Sequence, residues 1–209
     1  MMGGVILAAG MSSRMRIFKP LMEIAGKPMI FWSVQHMLDG GVQKVVVVTG
    51  HNHTELETYI RKQWVGKVMT AFHANYSNGE MFDSVKVGLQ QLMGCSKVAL
   101  STGDLPAIDP RVYQVMLEEE LPDRIEILIP GNGKKNCHPP VFTAYAVTEI
   151  LKYDGTMGLK GFYDRHRDWI RYVRIEEPGC FMDLDYREDV AAVEELLSEN
   201  NSHPAHRAE

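Results

Sequence analysis

Four consecutive valines, Val45, Val46, Val47 and Val48, restrict this chain more than any other run in it. β-Branched residues favour extended backbone, and an unbroken apolar run suits a strand covered on both faces. Such strands are parallel and interior, so the chain must return across the sheet through connecting helices. The rest of the sequence keeps that rhythm. Residues 5–8, 67–72, 98–100 and 125–129 read as further extended runs. Pro28 can open a helix whose Ile30, Val34, Met37 and Leu38 recur at helical spacing until Gly40-Gly41 stops it. Residues 54–64 and 82–93 continue the alternation, as does a helix from an Asp109 cap and Pro110 through Leu121. Four or five parallel strands separated by helices predict an α/β fold. The expected form is a Rossmann-like, doubly wound, mostly parallel sheet with helices on both faces.

The pattern loosens after Pro130. A partly basic loop (residues 131–136) precedes His138-Pro139-Pro140 and an extended run over 141–145. A short helix, a glycine-rich connection, a strand over 170–175 and a closing helix over 188–197 follow. With no internal repeat and no long linker, the expectation is a single domain over residues 1–198 and a polar, frayed tail over 199–209.

Hydrophobic residues make up 45% of the 209 positions, enough for a core that needs no disulfide or metal staple. A net charge of −5 argues against a nucleic-acid partner. Cys95, Cys137 and Cys180 are odd in number and lack a Cys-x-x-Cys pair, as expected for reduced thiols in the cytoplasm. The start has no charged n-region of a signal peptide, and no apolar run approaches the roughly 20 residues that cross a bilayer. A soluble cytoplasmic protein with no membrane partner is expected.

Chemistry concentrates where the first strand ends. Leu7-Ala8-Ala9-Gly10 continues through Ser12 and Arg14 to Lys19-Pro20-Leu21. Small residues let backbone N–H groups approach anionic oxygens, and the two cations can neutralise charge that amides only polarise. The loop reads as a triphosphate grip. It is neither a Walker A loop nor a dinucleotide fingerprint, and a plain strand-to-turn connection is the alternative. Gly103-Asp104 lies at the carboxyl end of an inner strand, the edge at which open α/β sheets bind ligands. A carboxylate there suits Mg²⁺, which binds through one or two carboxylates plus substrate phosphates, although Asp104 could instead cap a turn. Asp183 and Asp185 could supply a second ligand and a helix cap; taken alone they read as a solvated acidic turn. His51-x-His53 has no further ligand at metal spacing, and the scattered methionines suit core packing.

Taken in order, Leu7-Ala8-Ala9-Gly10-x-Ser12-x-Arg14-Met15, Lys19-Pro20-Leu21, Gly103-Asp104-x-Pro106 and Asp183-x-Asp185 followed by Glu188-Asp189 resemble the MobA-like NTP-transferase family. Within it the resemblance is to molybdenum-cofactor cytidylyltransferases. The resemblance implies Mg²⁺-dependent transfer of a nucleotide, CMP from CTP by analogy at Ala9, to a small phosphorylated acceptor of molybdopterin type. Ala8, Ala9 and Gly10 would meet base and phosphates, Arg14 and Lys19 would hold the triphosphate, and the Gly79 to Ser84 loop would recognise the base. Asp104 would ligate the metal, with Asp185 or Asp183 beside it. His138, Pro139 and Lys160 would face the acceptor. A molybdoenzyme or a cofactor-insertion chaperone is the protein partner this implies. Arg16, Arg187 and the doubled Pro139-Pro140 depart from the family pattern. A sugar-phosphate or methylerythritol-phosphate acceptor stays open, as does a non-catalytic nucleotide-binding protein.

Overall fold

The computed structural model describes residues 1–10 and 17–202, with side chains through Asn200. Among them the strands are β1 (Met2–Ala8), β2 (Glu23–Ile24), β3 (Lys27–Pro28), β4 (Lys44–Thr49), β5 (Val68–Phe72), β6 (Lys97–Thr102), β7 (Ile127–Gly131), β8 (Val141–Thr143) and β9 (Ile170–Arg174). The helices are α1 (Met29–Asp39), α2 (His53–Gln63), α3 (Met81–Gln90), α4 (Pro110–Glu118), α5 (Ala144–Lys152), α6 (Gly158–Arg165) and α7 (Val190–Ser202). Seven strands form the main sheet in the order β5-β4-β1-β6-β8-β7-β9. β4, β1 and β6 pair in parallel, as do β7 and β9, whereas β8 runs antiparallel to both β6 and β7. The mostly parallel expectation holds.

The valine quartet shows why. Val45 and Val47 enter the core beneath α1, α2 and α4, and Val46 and Val48 enter the core beneath α3, α5 and α6. All four are fully buried. A third cluster joins Ile24, Met29, Ala107 and Leu184 to Val193 and Leu197 of α7. Gly88 sets the approach of α3: a Cβ there would lie 2.4 Å from Val5 Cγ1 and 2.9 Å from Val48 Cγ2. Only a glycine lets this helix sit so close to β1 and β4.

Several boundaries differ from the sequence expectation. α1 begins at Met29, with Pro28 at the cap position. α3 stops at Gln90 rather than 93. α4 stops at Glu118, short of Leu121, because Lys97 Nζ takes the carbonyls of Leu117 (2.6 Å) and Glu119 (2.8 Å) and Glu119 turns extended. The extended run over 141–145 ends at Thr143, whose hydroxyl accepts the Ala146 N–H (3.1 Å) and starts α5. α7 continues to Ser202, into the segment expected to fray, and buried Asn200 donates to the Ala107 carbonyl (2.9 Å). Among the described residues, no helix is long and apolar enough to cross a membrane.

Candidate active site

Parallel pairing of β1 with β6 sets Leu7 opposite Thr102, and the Gly103 N–H donates to the Leu7 carbonyl (2.9 Å). Both strands therefore end at one edge of the sheet. A cleft of about 310 Å³ opens there, lined by Leu7, Ala8, Ala9 and Gly10 after β1 and by Thr102, Gly103 and Asp104 after β6. Lys19 and Pro20 close one side, and Tyr76, Gly79, Glu80, Met81 and Ser84 another. Nine of the expected nucleotide-side residues thus share one cleft. Ser12 and Arg14 lie outside the described residues. Sequence reasoning took Glu80 and Met81 only as members of the Gly79 to Ser84 loop and missed Tyr76, Met29 and Thr102. Thr102 adjoins Gly103, so chain proximity was available as a signal there; Tyr76 and Met29 offered none.

Lys19 sits on a single 3-10 turn over Lys19–Leu21 and is buried, with Nζ donating to Asp185 Oδ1 at 2.8 Å. Asp185 arrives from the other end of the chain. Fully buried Leu184 anchors its segment, and the Leu184 N–H donates to the Asp104 carbonyl at 2.9 Å. The Asp189 carboxylate accepts the N–H groups of Asp185 (3.1 Å) and Tyr186 (2.7 Å). Turn capping therefore falls to Asp189 rather than to Asp183 or Asp185. Asp183 is exposed and borders a separate hollow of about 860 Å³ whose lining mixes Lys134, Lys135 and Arg174 with Glu176 and Asp189. Among the described residues no three His, Cys, Asp or Glu side chains form a ready-made metal cage. Asp104 lines the cleft, and the segment carrying Asp185 is tied to the Asp104 backbone, so these carboxylates could form only part of the shell of an ion that completes it with substrate phosphates and water.

His138 lines a mostly apolar cavity of about 270 Å³ that shares Leu7, Met81 and Thr102 with the first cleft. Its Nδ1 lies 3.2 Å from the Leu100 carbonyl, which as a pure acceptor takes the Nδ1 proton. Burial holds this imidazole below its ordinary pKa, against the opposing pull of that hydrogen bond and of Asp104 and Asp183. Pro139 is buried beside it. Lys160 is exposed on α6 and borders none of these three spaces; its neighbour Leu159 lines the His138 cavity instead.

Other candidates resolve into structure. His53 packs on Phe72 with ring centroids 4.2 Å apart and lies 3.6 Å from Glu57. Cys137 and Cys180 are buried free thiols that interact with each other. That interaction draws Cys137 below the usual thiol value and, together with burial, pushes Cys180 far above it.

Residues 4–169 match the MobA-like NTP transferase domain. The chain belongs to this family. Among curated relatives, it is 32% identical over 112 residues to the bifunctional protein GlmU of Sorangium cellulosum, covering 51% of this chain and 23% of that protein. The 2-C-methyl-D-erythritol 4-phosphate cytidylyltransferase of Lachnospira eligens is 30% identical over 118 residues, 54% of this chain and 51% of that one. The chain therefore spans only part of the length of the relatives it matches. A nucleotidyl transferase from Methanothermobacter thermautotroptrophicus superposes with a TM-score of 0.79 at 21% identity, covering 95% of this chain and 99% of that one. That likeness shows the fold: this MobA-like domain is built as nucleotidyl transferases are.

Proposed function

We propose that this MobA-like domain is a Mg²⁺-dependent nucleotidyltransferase that moves CMP from CTP to the phosphate of a small acceptor, a molybdopterin-type cofactor. The observation that carries the reading is the meeting of the β1 edge, Lys19 and Asp104 in one cleft, with Asp185 bonded to Lys19. An acceptor phosphate oxygen forms a bond to the α-phosphorus, the bond from that phosphorus to the β-phosphate oxygen breaks, and pyrophosphate leaves. The backbone at Ala8, Ala9 and Gly10 holds the nucleotide against the sheet edge, and Lys19 neutralises charge growing on pyrophosphate. Arg14, outside the described residues, would add a second cation. Asp104 and Asp185 are the carboxylates suited to the ion, which supplies Lewis-acid neutralisation of the phosphates when bound. His138 and Pro139 stand on the acceptor side, next to the apolar cavity. Lys160, exposed and outside the three spaces, is the weakest member of that group. A molybdoenzyme or an insertion chaperone would receive the product.

A second reading differs only in the acceptor. The similarity to a 2-C-methyl-D-erythritol 4-phosphate cytidylyltransferase favours methylerythritol phosphate in that place, with a sugar phosphate as the related alternative. Incubation of the protein with labelled CTP, Mg²⁺ and each acceptor in turn separates the two, with pyrophosphate release as the readout. Transfer to the pterin alone supports the first reading and transfer to a sugar or polyol phosphate the second. Nucleotide binding with no pyrophosphate from any acceptor leaves the grip without the chemistry and overturns both.

A further inference from the structure

We propose that His73, which lies behind the cleft wall, is a positioning residue for base recognition: its imidazole aims the Ser84 hydroxyl at the base of the bound nucleotide. This rests on the nucleotide reading above and adds to it the device that selects the base.

His73 follows β5 directly, and its N–H donates to the Thr49 carbonyl (2.8 Å) at the end of β4, which pins the backbone to the sheet. The side chain is buried, and Nδ1 lies 3.0 Å from Ser84 Oγ, itself buried on the first turns of α3 and lining the cleft. The same ring supports the other part of that wall. A Cβ on Gly79 would lie 3.1 Å from His73 Cε1 and 3.0 Å from the Asn75 carbonyl and Asp83 Oδ2, tighter than ordinary contact, so the ring sits close behind the loop. One imidazole thus backs both Gly79 and Ser84.

The consequence follows from what a hydroxyl can do. Serine offers one donor and two acceptor positions. Left to itself it rotates and serves a carbonyl or an amine on the ligand equally well. Tied to an imidazole nitrogen it cannot. If Oγ–H donates to Nδ1, the oxygen is left to accept from an exocyclic amine. If Nδ1–H donates to Oγ, the hydroxyl hydrogen is left for a base carbonyl or ring nitrogen. Either arrangement rewards one base edge and leaves a buried polar group mispaired against the wrong one. His73 itself reaches the base only through Ser84, which makes it positioning rather than catalytic.

Calorimetric titration with CTP, UTP, GTP, ATP and inorganic tripolyphosphate, each with Mg²⁺, tests this in wild type, His73→Ala, His73→Asn, His73→Gln and Ser84→Ala. Removing His73 or the Ser84 hydroxyl should shrink the affinity ratio between the best and second-best base by about tenfold, as expected for one directed hydrogen bond. Tripolyphosphate, which has no base, should bind as in wild type. Asn places an amide atom where Nδ1 stands and should restore the ratio; Gln should not. Should His73→Ala fold poorly, the contrast between Asn and Gln still decides. An unchanged ratio in His73→Ala, or a parallel loss for tripolyphosphate and every nucleotide in Asn and Gln alike, overturns the assignment. If wild type binds none of the four nucleotides, the parent reading falls and this one with it. If wild type discriminates and the variants do so equally, only the role of His73 falls.

Discussion

Replacing Lys19 by Met tests the site most sharply, because the change keeps an unbranched stem and removes the ammonium with its charge and hydrogen bond. Two separate losses should result. The first is in stability. The ammonium lies 2.8 Å from Asp185, with side-chain exposures of 9% and 26%. At an effective dielectric near 20 the gross attraction is about 6 kcal/mol, and the desolvation of both ions removes most of it. Because water still reaches Asp185, the net loss should be about 1–2 kcal/mol. For a chain of this size that corresponds to a fall in Tm of roughly 2–8 °C. The second loss is in turnover. A preorganised cation facing developing phosphate charge contributes about 3–4 kcal/mol, so kcat should fall by two to three orders of magnitude. Thermal denaturation without ligand and steady-state pyrophosphate release, measured on Lys19→Met and Asp185→Asn, separate the two. Lys19→Met turning over within threefold of wild type while showing the expected fall in Tm would refute the catalytic assignment and leave Lys19 as the structural partner of Asp185.

Asp104→Asn should abolish the Mg²⁺-dependent part of nucleotide affinity, read by titrating CTP with and without the ion; an unchanged metal increment would remove Asp104 from the metal site. Gly88→Ala gains roughly 1 kcal/mol of helix propensity but forces a methyl onto Val5 and Val48, so the net loss should be about 1–2 kcal/mol in urea unfolding, with weaker nucleotide binding as α3 and Ser84 move outward. The folded-state pKa of His138 is depressed, so protonation favours the unfolded chain. Stability is therefore intact above about pH 6.5 and is lost as pH falls through the lower folded value. His138→Asn should flatten that loss between pH 7.5 and 5.5 in denaturant titrations, and an unaltered slope would exclude the burial argument.

The inner parallel strands β1, β4 and β6 were legible because each holds an apolar run buried on both faces of the sheet. Val45 to Val48 could sit nowhere else, and Val98 to Leu100 follow the same logic. β8 was not readable as an antiparallel insertion. It has three residues, too few for a period, and its direction is set by pairing Val141 with both Ala99 and Leu128. The gathering of Leu7 to Gly10, Lys19 and Asp104 at one sheet edge was readable, since each follows or adjoins the end of an inner strand. The pairing of Asp185 with Lys19, with Asp183 left exposed, was not. It depends on Leu184 being buried while the Leu184 N–H reaches Asp104, a contact 80 residues away in sequence that no local pattern encodes. The placing of Lys160 was equally illegible: the helical turn of α6 presents Leu159 to the cavity and leaves the lysine exposed outside it.

The match to the family domain spans residues 4–169, and Asp185, Leu184 and α7 all lie beyond that span. A chimera that grafted only residues 4–169 onto another scaffold would carry the grip without the carboxylate that restrains its lysine. It would also strip the apolar cover from Ile24, Met29 and Ala107, which Val193 and Leu197 complete. The final helix is thus a buttress, and swapping it between relatives should retune the lysine without altering any residue of the cleft wall.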